Sequence, residues 1–352
     1  MIGHIKLLLL LLLFSAGRSQ RTVQSEPQCL VQTYAGEQEG VLVPAEECTT
    51  FREQRKNGSA TSSQADQHVC CPVFRSDRAI CGQLSQNADA FSNDSRETKL
   101  DQFRWAVMIL SRWVESIACS GSLITNHHVL SAAHCFVAVR GKNRSASDYR
   151  VRLGEWDLYA DEDCMYVRGQ LLCNSQPPIE RRIADIIIHA GFKRIARDIL
   201  HDIALVKLTA AVEYGEQIGP ACLPSWVTDV PQVLGRNFTV TGWGRTRSYM
   251  SVKRKMKIEM PGRNVSACAV AYGLQQPEVP WIHLCVGGGR AGWDVCHGDS
   301  GSSLMQREQD RWVVVGTVSF GALKCGTPLP GVYTNIAYYI DWIQWAIDKS
   351  WN

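Results

Sequence analysis

The tetrapeptide Gly298-Asp299-Ser300-Gly301 holds residue types that acyl transfer requires. A serine hydroxyl is a poor nucleophile at neutral pH, so it needs a base for its proton and hydrogen-bond donors for the oxyanion that forms. Gly298 has no Cβ, so the backbone can turn sharply and direct the N–H groups of Gly298 and Ser300 at one point. The stretch predicts Ser300 as a nucleophile, with Gly298 and Ser300 forming an oxyanion hole. Taken alone, such a tetrapeptide is more often a polar turn that happens to contain Gly and Ser.

Two further stretches supply partners for a nucleophilic serine. Ser-Ala-Ala-His-Cys at 131–135 contains His134, and His-Asp-Ile-Ala-Leu at 201–205 contains Asp202. In a catalytic triad the histidine transfers the hydroxyl proton to the leaving amine, and the aspartate holds the imidazole in one tautomer and orientation. We therefore predict His134 as the base and Asp202 as its orienting acid. The remaining histidines in apolar segments are interpreted as core residues: His127, His128, His189, His201 and His283.

From residue 103 onward, the composition predicts an all-β domain that would position these side chains. Short runs rich in β-branched and aromatic residues alternate with Gly, Pro and Asn, which is typical of many short strands. The runs lie at 105–110, 149–153, 183–188, 203–208, 238–240 and 312–320. At the end of the chain four isoleucines at helical spacing, Ile336, Ile340, Ile343 and Ile347, predict a C-terminal amphipathic helix, expected on the second half of the domain.

The three motifs, with Thr-Gly-Trp-Gly at 241–244 and Pro-Gly-Val-Tyr-Thr at 330–334, resemble the trypsin-like serine proteases. The resemblance runs from about residue 92 to the C-terminus and implies two six-stranded antiparallel β-barrels with the active site between them. It also implies that Asp294 forms the floor of a substrate pocket, where its carboxylate would bind an Arg or Lys side chain. The other substrate-binding residues that it implies are Ser319, which would bind Asp202, and the wall residues Gly321 and Gly331.

The N-terminal segment predicts export. One lysine precedes an apolar run from Leu7 to Phe14, and small and polar residues follow. This run is too short to cross a bilayer, so residues 1–19 are interpreted as a secretory signal peptide. Fourteen cysteines, an even number, suggest seven disulfides formed in an oxidising compartment. We therefore expect a secreted, extracellular protein without a membrane span.

Five Asn-X-Ser/Thr sequons are consistent with the same compartment, because N-glycosylation occurs on secreted chains. A formal net charge of +3 over 352 residues gives no electrostatic reason to expect a nucleic-acid partner. The predicted glycosylation sites are Asn57, Asn93, Asn143, Asn237 and Asn264.

Residues 29–71 form a small unit bounded by cysteines. About forty residues bury too little apolar surface to fold without staples. The unit ends in Val-Cys-Cys-Pro at 69–72 and resembles the CLIP domain that precedes the protease in arthropod zymogens. The resemblance implies the disulfides Cys29–Cys70 and Cys48–Cys71. The family's third disulfide is missing, since Leu42 stands where one of its cysteines is expected.

Residues 72–91 are polar and lack hydrophobic periodicity, which predicts a linker to the protease domain at 92–352. The resemblance to CLIP proteases implies that Cys81 in this linker bonds Cys222 and tethers the two parts of the chain. A local partner for Cys81 is the alternative. The remaining pairs that the resemblance implies are Cys119–Cys135, Cys164–Cys173, Cys268–Cys285 and Cys296–Cys325.

Two charged loops each have a functional and a structural interpretation. Glu155, with three acids at 161–163, lies where some trypsins hold Ca²⁺ through carboxylates and carbonyls. A solvated acidic loop is favoured there, so we expect no metal and no cofactor. A basic stretch could serve as an exosite for an anionic partner or as a site of self-cleavage, and a solvated loop is again favoured. Its residues are Arg245, Arg247, Lys253, Arg254, Lys255 and Lys257.

The start of the protease domain departs from the family pattern. Trypsin-like zymogens are cut after Arg or Lys, and the new Ile amino group pairs with the Asp before the catalytic Ser, here Asp299. The family's spacing puts Ser92 at that Ile, and the chain contains no Arg/Lys-Ile-Val-Gly-Gly. This departure resembles the non-catalytic homologues that accompany CLIP proteases. Other departures are Arg104 for Pro, Phe320 for Trp, and Ser302-Ser303 for Gly-Pro.

Two functions of different classes follow from these patterns. The favoured one is a secreted serine endopeptidase, made as a zymogen, that cleaves after Arg or Lys in an extracellular cascade of arthropod immunity or development. Its expected partners are protein substrates, an upstream activating protease and a serpin-type inhibitor. The alternative is a homologue that binds a protease or its substrate as a cofactor without turnover. The intact triad together with Asp294 favours the enzyme.

Overall fold

The computed structural model describes most of the protease domain and three strands of the N-terminal unit. The described residues are 28–33, 36–44, 68–72, 80–84, 96–113, 116–138, 144–167, 169–195, 198–224, 233–244, 252–276, 279–289, 295–296, 298–322 and 324–351. In the first three ranges the description covers the backbone alone. Several predicted features lie outside the described residues: the signal peptide at 1–19, Asn57, Ser92, Asn93, Asn143 and Asp294.

The N-terminal unit contains a three-stranded antiparallel sheet of β1 (Gln28–Thr33), β2 (Gly36–Pro44) and β3 (His68–Pro72), with β2 in the centre. In its register Cys29 lies opposite Gly40, and Cys70 lies opposite Leu42. The strands that carry Cys29 and Cys70 are therefore both neighbours of β2. The disulfide pairing of Cys29, Cys48, Cys70 and Cys71 lies outside the described residues.

The first half of the protease domain is a closed antiparallel barrel with two added hairpins. Its strands are β4 (Ala106–Ser111), β5 (Ile117–Leu123), β6 (His128–Ser131), β7 (Tyr149–Leu153), β8 (Cys164–Val167), β9 (Gln170–Cys173), β10 (Ile179–Ile188), β11 (Lys193–Ile195), β12 (Asp198–Leu200) and β13 (Ala204–Leu208). The barrel order is β10-β13-β6-β5-β4-β7, whereas β8–β9 and β11–β12 form the hairpins. Alternation along β7 turns Val151 and Leu153 into the core, where both are fully buried.

The second half is another closed six-stranded antiparallel barrel. Its elements are β14 (Asn237–Gly242), β15 (Met256–Arg263), α1 (Val265–Tyr272), α2 (Val279–Ile282), β16 (His283–Gly287), β17 (Ser303–Glu308), β18 (Arg311–Phe320) and β19 (Pro330–Asn335). The strand order is β14-β15-β16-β19-β18-β17, around a core that includes Phe238, Leu284 and Tyr333. The predicted all-β class with two six-stranded barrels is therefore confirmed.

The C-terminal helix α3 (Ile340–Lys349) packs on the first barrel, so the expectation that it packs on the second barrel is wrong. Its buried face, which includes Ile343, shares a core with β6 and β13. Ser350 Oγ, just beyond the helix, lies 2.8 Å from His128 Nε2 of β6. The reason is topological: β19 ends next to the loop that precedes β13, so the chain has already reached the first barrel when the helix begins. Among the described residues, no helix is long and apolar enough to span a bilayer.

Five disulfides lie within the described residues, and each joins a pair that the family resemblance implied. They are Cys81–Cys222, Cys119–Cys135, Cys164–Cys173, Cys268–Cys285 and Cys296–Cys325.

The linker segment at 80–84 is attached to the protease domain by more than its disulfide. Arg104, which stands where the family has Pro, donates hydrogen bonds to the Gln83 carbonyl oxygen at 3.2 Å and to the Gly215 carbonyl oxygen at 2.6 Å. Arg104 thus connects the linker to a loop that precedes the second barrel. Burial lowers the pKa of Arg104, and the charges of Glu216 and Asp101 oppose that effect.

Candidate active site

His134 and Asp202 form a hydrogen-bonded pair at the edge of the first barrel. His134 lies in the 3₁₀ turn Ala133–Cys135, directly after β6, and Asp202 precedes β13, the strand that pairs with β6. Asp202 Oδ1 accepts a hydrogen bond from the His134 backbone N–H at 2.8 Å, and Oδ2 lies 2.7 Å from His134 Nδ1. Because one carboxylate binds both the backbone and the ring, the imidazole is fixed with Nε2 on the side away from Asp202.

Two side chains of the second barrel support Asp202 from behind. Ser319 Oγ donates to Asp202 Oδ2 at 2.5 Å, and Thr334 Oγ1 donates to the Asp202 carbonyl oxygen at 2.8 Å. Burial by itself would raise the pKa of Asp202, but the charge of His134 and the hydrogen bonds from His134 and Ser319 hold that pKa below its ordinary value. An ionised Asp202 can stabilise the imidazolium that forms when His134 accepts a proton.

The loop that carries Ser300 lies against β5 of the first barrel. Ser120 donates twice to this loop, from its N–H to the Ser300 carbonyl oxygen and from its hydroxyl to the Gly298 carbonyl oxygen, both at 2.8 Å. Gly298 and Gly301 have φ values of +101° and +83°. A Cβ on Gly301 would overlap Ser131 Oγ and the Ser120 carbonyl oxygen. Glycine is therefore required at Gly301 by both its conformation and its surroundings.

Ser300 and His134 line one cleft between the barrels, with a volume of about 530 Å³. Among the described residues, no hydrogen bond joins Ser300 Oγ to His134 Nε2; in enzymes without substrate such bonds are often long and shorten in the complex. The structure thus brings the three residues of the predicted triad and Gly298 to a single site. The other residues that line the cleft are Ser116, Ile117, Ala118, Cys119, Cys135, Arg144 and Trp243.

Known proteins are similar to this chain in sequence. The sequence profile of the trypsin family matches residues 93–343. The chain is 34% identical to CLIP domain-containing serine protease B4 of Anopheles gambiae, over 78% of this chain and 77% of the relative. It is 39% identical to phenoloxidase-activating factor 1 of Holotrichia diomphalia, over 75% of this chain and 71% of the relative. The chain belongs to the CLIP-domain serine proteases of the trypsin family.

A solved structure of the same family agrees with this assignment. The crystal structure of the Drosophila Grass clip serine protease of the Toll pathway superposes on this CLIP-family chain with a TM-score of 0.63 and 30% sequence identity. The match covers 90% of this chain and 96% of that chain.

In this CLIP-family chain the carboxylate of Asp299 is packed against backbone. Its Oδ1 accepts a hydrogen bond from the Gly244 N–H at 2.9 Å, and its Oδ2 accepts one from the Cys296 N–H at 3.0 Å. Burial raises the pKa of Asp299 to about 6, and the two backbone hydrogen bonds oppose part of that rise. Within the described part of the chain, no cation lies close enough to form an ion pair with Asp299. Ser92, the residue expected to present such a cation, lies outside it.

The expected walls of the substrate pocket lack side chains. A Cβ on Gly321 would lie 3.9 Å from the Gly331 Cα and 4.0 Å from Tyr272 Oη, so neighbouring groups leave room on this side. Phe320, which replaces the family's Trp, packs edge-on against Tyr272 with ring centroids 5.7 Å apart. An aromatic surface is therefore retained beside the wall. The expected floor residue, Asp294, lies outside the described residues.

The loop around Glu155 is partly buried, so its interpretation as a solvated acidic loop is wrong for Glu155 and Asp163. These residues are 3% and 1% exposed. Both oxygens of Asp163 accept backbone N–H groups, from Trp156 at 2.9 Å and from Asp157 at 2.8 Å. Burial raises the pKa of Glu155 to about 7, and the charge of Asp163 adds to the rise while that of Arg152 opposes it.

The donor set of this loop does not fit Ca²⁺. One oxygen of Glu155 accepts the Trp156 N–H at 3.0 Å, and the other lies 3.3 Å from Arg152 Nε. Lys255 is 4% exposed, and the charges of Asp101, Asp163 and Glu155 act on it. Burial lowers its pKa to about 8 against these charges. The described residues hold no group of three carboxylates that converge on one point here. Lys255 and Arg152 therefore both supply positive charge that compensates these acids.

The basic stretch is only partly a solvated loop where the structure describes it, because Lys255 is buried whereas Lys253 is exposed. Arg254 pairs with Asp157 at 3.2 Å and with Glu97 at 3.3 Å, and Lys253 pairs with Asp157 at 3.4 Å. The backbone of this stretch hydrogen-bonds to residues 96–98 and 156–158, and Lys255 is buried where those segments meet. Arg245 and Arg247 lie outside the described residues.

Two of the predicted glycosylation sites are described, and both asparagines are exposed. Asn264 caps α1, since its Oδ1 accepts a hydrogen bond from the Ser266 N–H at 3.0 Å. Asn237 Nδ2 donates to Glu259 Oε1 at 2.9 Å. Their glycosylation stays a prediction.

Sequence analysis missed the serines that connect the barrels behind the cleft. Ser122 Oγ of β5 and Ser303 Oγ of β17 lie 2.6 Å apart, and Ser120 contacts the Ser300 loop as described above. These contacts join positions that are far apart in the chain, so no local pattern reveals them. The signal that could have pointed to them was Ser302-Ser303 in place of the family's Gly-Pro.

Proposed function

We propose that this chain is a serine endopeptidase that is made as a zymogen and cleaves after Arg or Lys. The observation that carries the proposal is the alignment of Asp202, His134 and Ser300 at one cleft, with Ser319 bound to Asp202. Ser300 Oγ attacks the peptide carbonyl, and His134 Nε2 takes its proton and passes it to the leaving amine. Asp202 stabilises the imidazolium, and the N–H groups of Gly298 and Ser300 stabilise the oxyanion.

The proposed specificity depends on Asp294. Its carboxylate at the pocket floor would form charge-assisted hydrogen bonds with an entering Arg or Lys side chain. The open space beside Gly321 supports this proposal, because a long side chain needs an unobstructed path to the floor. At Gly331, the expected second wall residue, a Cβ would lie 3.1 Å from the Tyr333 ring.

Secretion and action in an extracellular cascade complete the proposal. The signal-peptide pattern at 1–19, the sequons and the disulfides support export. The relatives include a phenoloxidase-activating factor and the Grass protease of the Toll pathway, which supports an immune cascade. The partners would then be protein substrates, an activating protease and a serpin-type inhibitor. The CLIP unit at 29–71 and the linker at 72–91 would stay attached after activation through Cys81–Cys222.

A second function, a non-catalytic cofactor, is favoured by one specific departure. The position expected to form the activating N-terminus is Ser92, whereas family proteases have Ile there. Without a buried Ile side chain, the active state loses about 1.5–3 kcal/mol of stabilisation. A chain whose active state is destabilised in this way could act as a binding partner without turnover.

The test of the endopeptidase proposal is the specificity of the activated protein on small amide substrates. We expect cleavage after Arg and Lys, and Asp294→Ser should lower that preference about 30-fold or more, because the substrate cation would lose its partner. Asp310→Ser is the matched control, since Asp310 is an exposed acid with 85% of its side chain accessible. If wild type and Asp294→Ser prefer the same residue, the pocket assignment is wrong.

A further inference from the structure

The cleft beside Ser300 carries a permanent positive charge that the triad does not use. It is lined by ten of the described residues, and Arg144 is the one among them that is charged at every physiological pH. Its neighbours in the lining are apolar or small, such as Ile117, Ala118 and the disulfide Cys119–Cys135. Such a lining favours a ligand with a negative charge.

The position of this cleft relates it to one part of a substrate. Its lining residues come from the first barrel, apart from Trp243, Gly298 and Ser300, and they include none of the pocket wall at 319–321. The hydrogen bond from Ser120 to the Ser300 carbonyl oxygen keeps β5 next to the nucleophile. A peptide whose Arg or Lys enters the pocket beside Gly321 therefore places the residues after the scissile bond in the cleft that contains Arg144.

Arg144 is held in place by neutral groups. Its backbone N–H donates to the Phe136 carbonyl oxygen at 2.8 Å. Its guanidinium lies close to the Tyr149 hydroxyl, where its charge opposes the rise in the pKa of Tyr149 that burial causes. The Tyr149 hydroxyl in turn donates to the Cys135 carbonyl oxygen at 2.9 Å, next to His134. The guanidinium is thus positioned near the triad without being neutralised by these contacts.

No carboxylate in the described part of the chain forms an ion pair with Arg144. Asp148, four residues further on, accepts hydrogen bonds from the Ser145 N–H at 3.0 Å and from Trp113 Nε1 at 3.2 Å. These bonds hold Asp148 to the wall formed by the β4–β5 turn. The positive charge of Arg144 therefore has no described acid that would compete with a carboxylate of the substrate.

We propose that Arg144 selects substrates with Asp or Glu at the first or second position after the scissile bond. A guanidinium binds a carboxylate through paired, charge-assisted hydrogen bonds, and a neutral Gln or a cationic Lys cannot replace it. For turnover this inference depends on the proposed endopeptidase function. For binding it does not, because the cleft is present in the uncut chain.

The turnover experiment compares peptides that carry Arg at the cleaved position, followed by Glu, Gln or Lys at each of the next two positions. Wild type should show a kcat/KM about threefold to tenfold higher for Glu than for Gln at one of those positions. Arg144→Gln should lose this preference, and Arg144→Glu should reverse it in favour of Lys. Arg236→Gln removes the same charge from an exposed position of the second barrel and should retain the preference.

A binding experiment separates this inference from the proposed function. The full-length Ser300→Ala protein is titrated with the same peptides, labelled with a fluorophore, and anisotropy gives the affinities. A preference for Glu in binding by Ser300→Ala, together with no turnover of any peptide by the activated wild type, would contradict the endopeptidase function and support the Arg144 subsite. Equal values for Glu and Gln in both assays, or an unchanged preference in Arg144→Gln, would overturn the inference.

Discussion

The Ser120 hydroxyl donates a hydrogen bond to the Gly298 carbonyl oxygen at 2.8 Å, across 178 positions of the sequence. The Ser120 N–H binds the Ser300 carbonyl oxygen at the same distance. Through one residue of β5, the first barrel thus fixes the Gly298–Asp299 and Ser300–Gly301 peptide groups, which lie on either side of the Asp299–Ser300 peptide group. These groups adjoin the N–H donors of the proposed oxyanion hole.

Replacing Ser120 by Ala tests whether this contact positions the oxyanion hole. We expect kcat to fall about twofold to tenfold with KM nearly unchanged, because one hydrogen bond that orients Gly298 is lost. Steady-state kinetics of the activated protein on an Arg amide substrate give both values. Ser175→Ala, at an exposed serine, is the control. An unchanged kcat in Ser120→Ala would show that the hydroxyl does not position the loop.

The raised pKa of Asp299 predicts a pH-dependent stability of the uncut chain. Its folded pKa of about 6 exceeds the ordinary value of 3.8. The folded state therefore binds this proton more tightly, and ionisation of Asp299 destabilises it as the pH rises from about 4 to above 6. Relative to Asp299→Asn, wild type should lose on the order of 1–2 kcal/mol of unfolding free energy over that range.

Urea unfolding in the Ser300→Ala background, at a series of pH values, measures this difference. The background prevents self-digestion, and Asp310→Asn controls for loss of an exposed acid. A difference between wild type and Asp299→Asn that stays constant from pH 4 to 7 would contradict the raised pKa.

The triad could be predicted from the sequence because each member lies in a short local signature. His134 lies in the sequence Ala-Ala-His-Cys, and Ser300 lies between Gly298 and Gly301, whose positive φ angles the loop requires. The strands could be predicted for the same reason. The run predicted at 149–153 coincides with β7, whose residues alternate between core and surface. Local patterns of this kind are set by neighbours in the chain, so they can be recognised without the fold.

The burial of Lys255 could not be predicted in this way. Its neighbours Lys253, Arg254 and Lys257 give the stretch the composition of a surface loop. Burial results from three segments, at 96–98, 155–158 and 253–257, that meet through backbone hydrogen bonds. The acids that compensate Lys255 lie in other segments than the lysine, so only the tertiary structure brings the charges together.

Because the buried positive charge of Lys255 acts on Glu155 and Asp163, we predict that Ca²⁺ has little effect on the stability of the protein. We expect millimolar Ca²⁺ or a chelator to shift the Tm by less than about 1 °C. Lys255→Ala should lower the Tm by several degrees, because removing one partner of a buried charge cluster costs about 3–5 kcal/mol. Thermal unfolding followed by circular dichroism measures both, with the exposed Lys193→Ala as control. A clear rise in the wild-type Tm with Ca²⁺ would contradict this role of Lys255.

The central claim is that Ser300 acts as a nucleophile once the chain has been cut, and labelling with a fluorophosphonate probe tests it most directly. The probe resembles the acyl-transfer centre and reacts only where base and oxyanion donors are both in place. We expect weak labelling of the uncut chain and strong labelling after a cut near Phe91-Ser92, with no labelling of Ser300→Ala. N-terminal sequencing of the labelled species locates the cut. If Ser300 stays unlabelled in every processed form while Ser300→Ala keeps its biological activity, the enzyme function is wrong and the non-catalytic cofactor function replaces it.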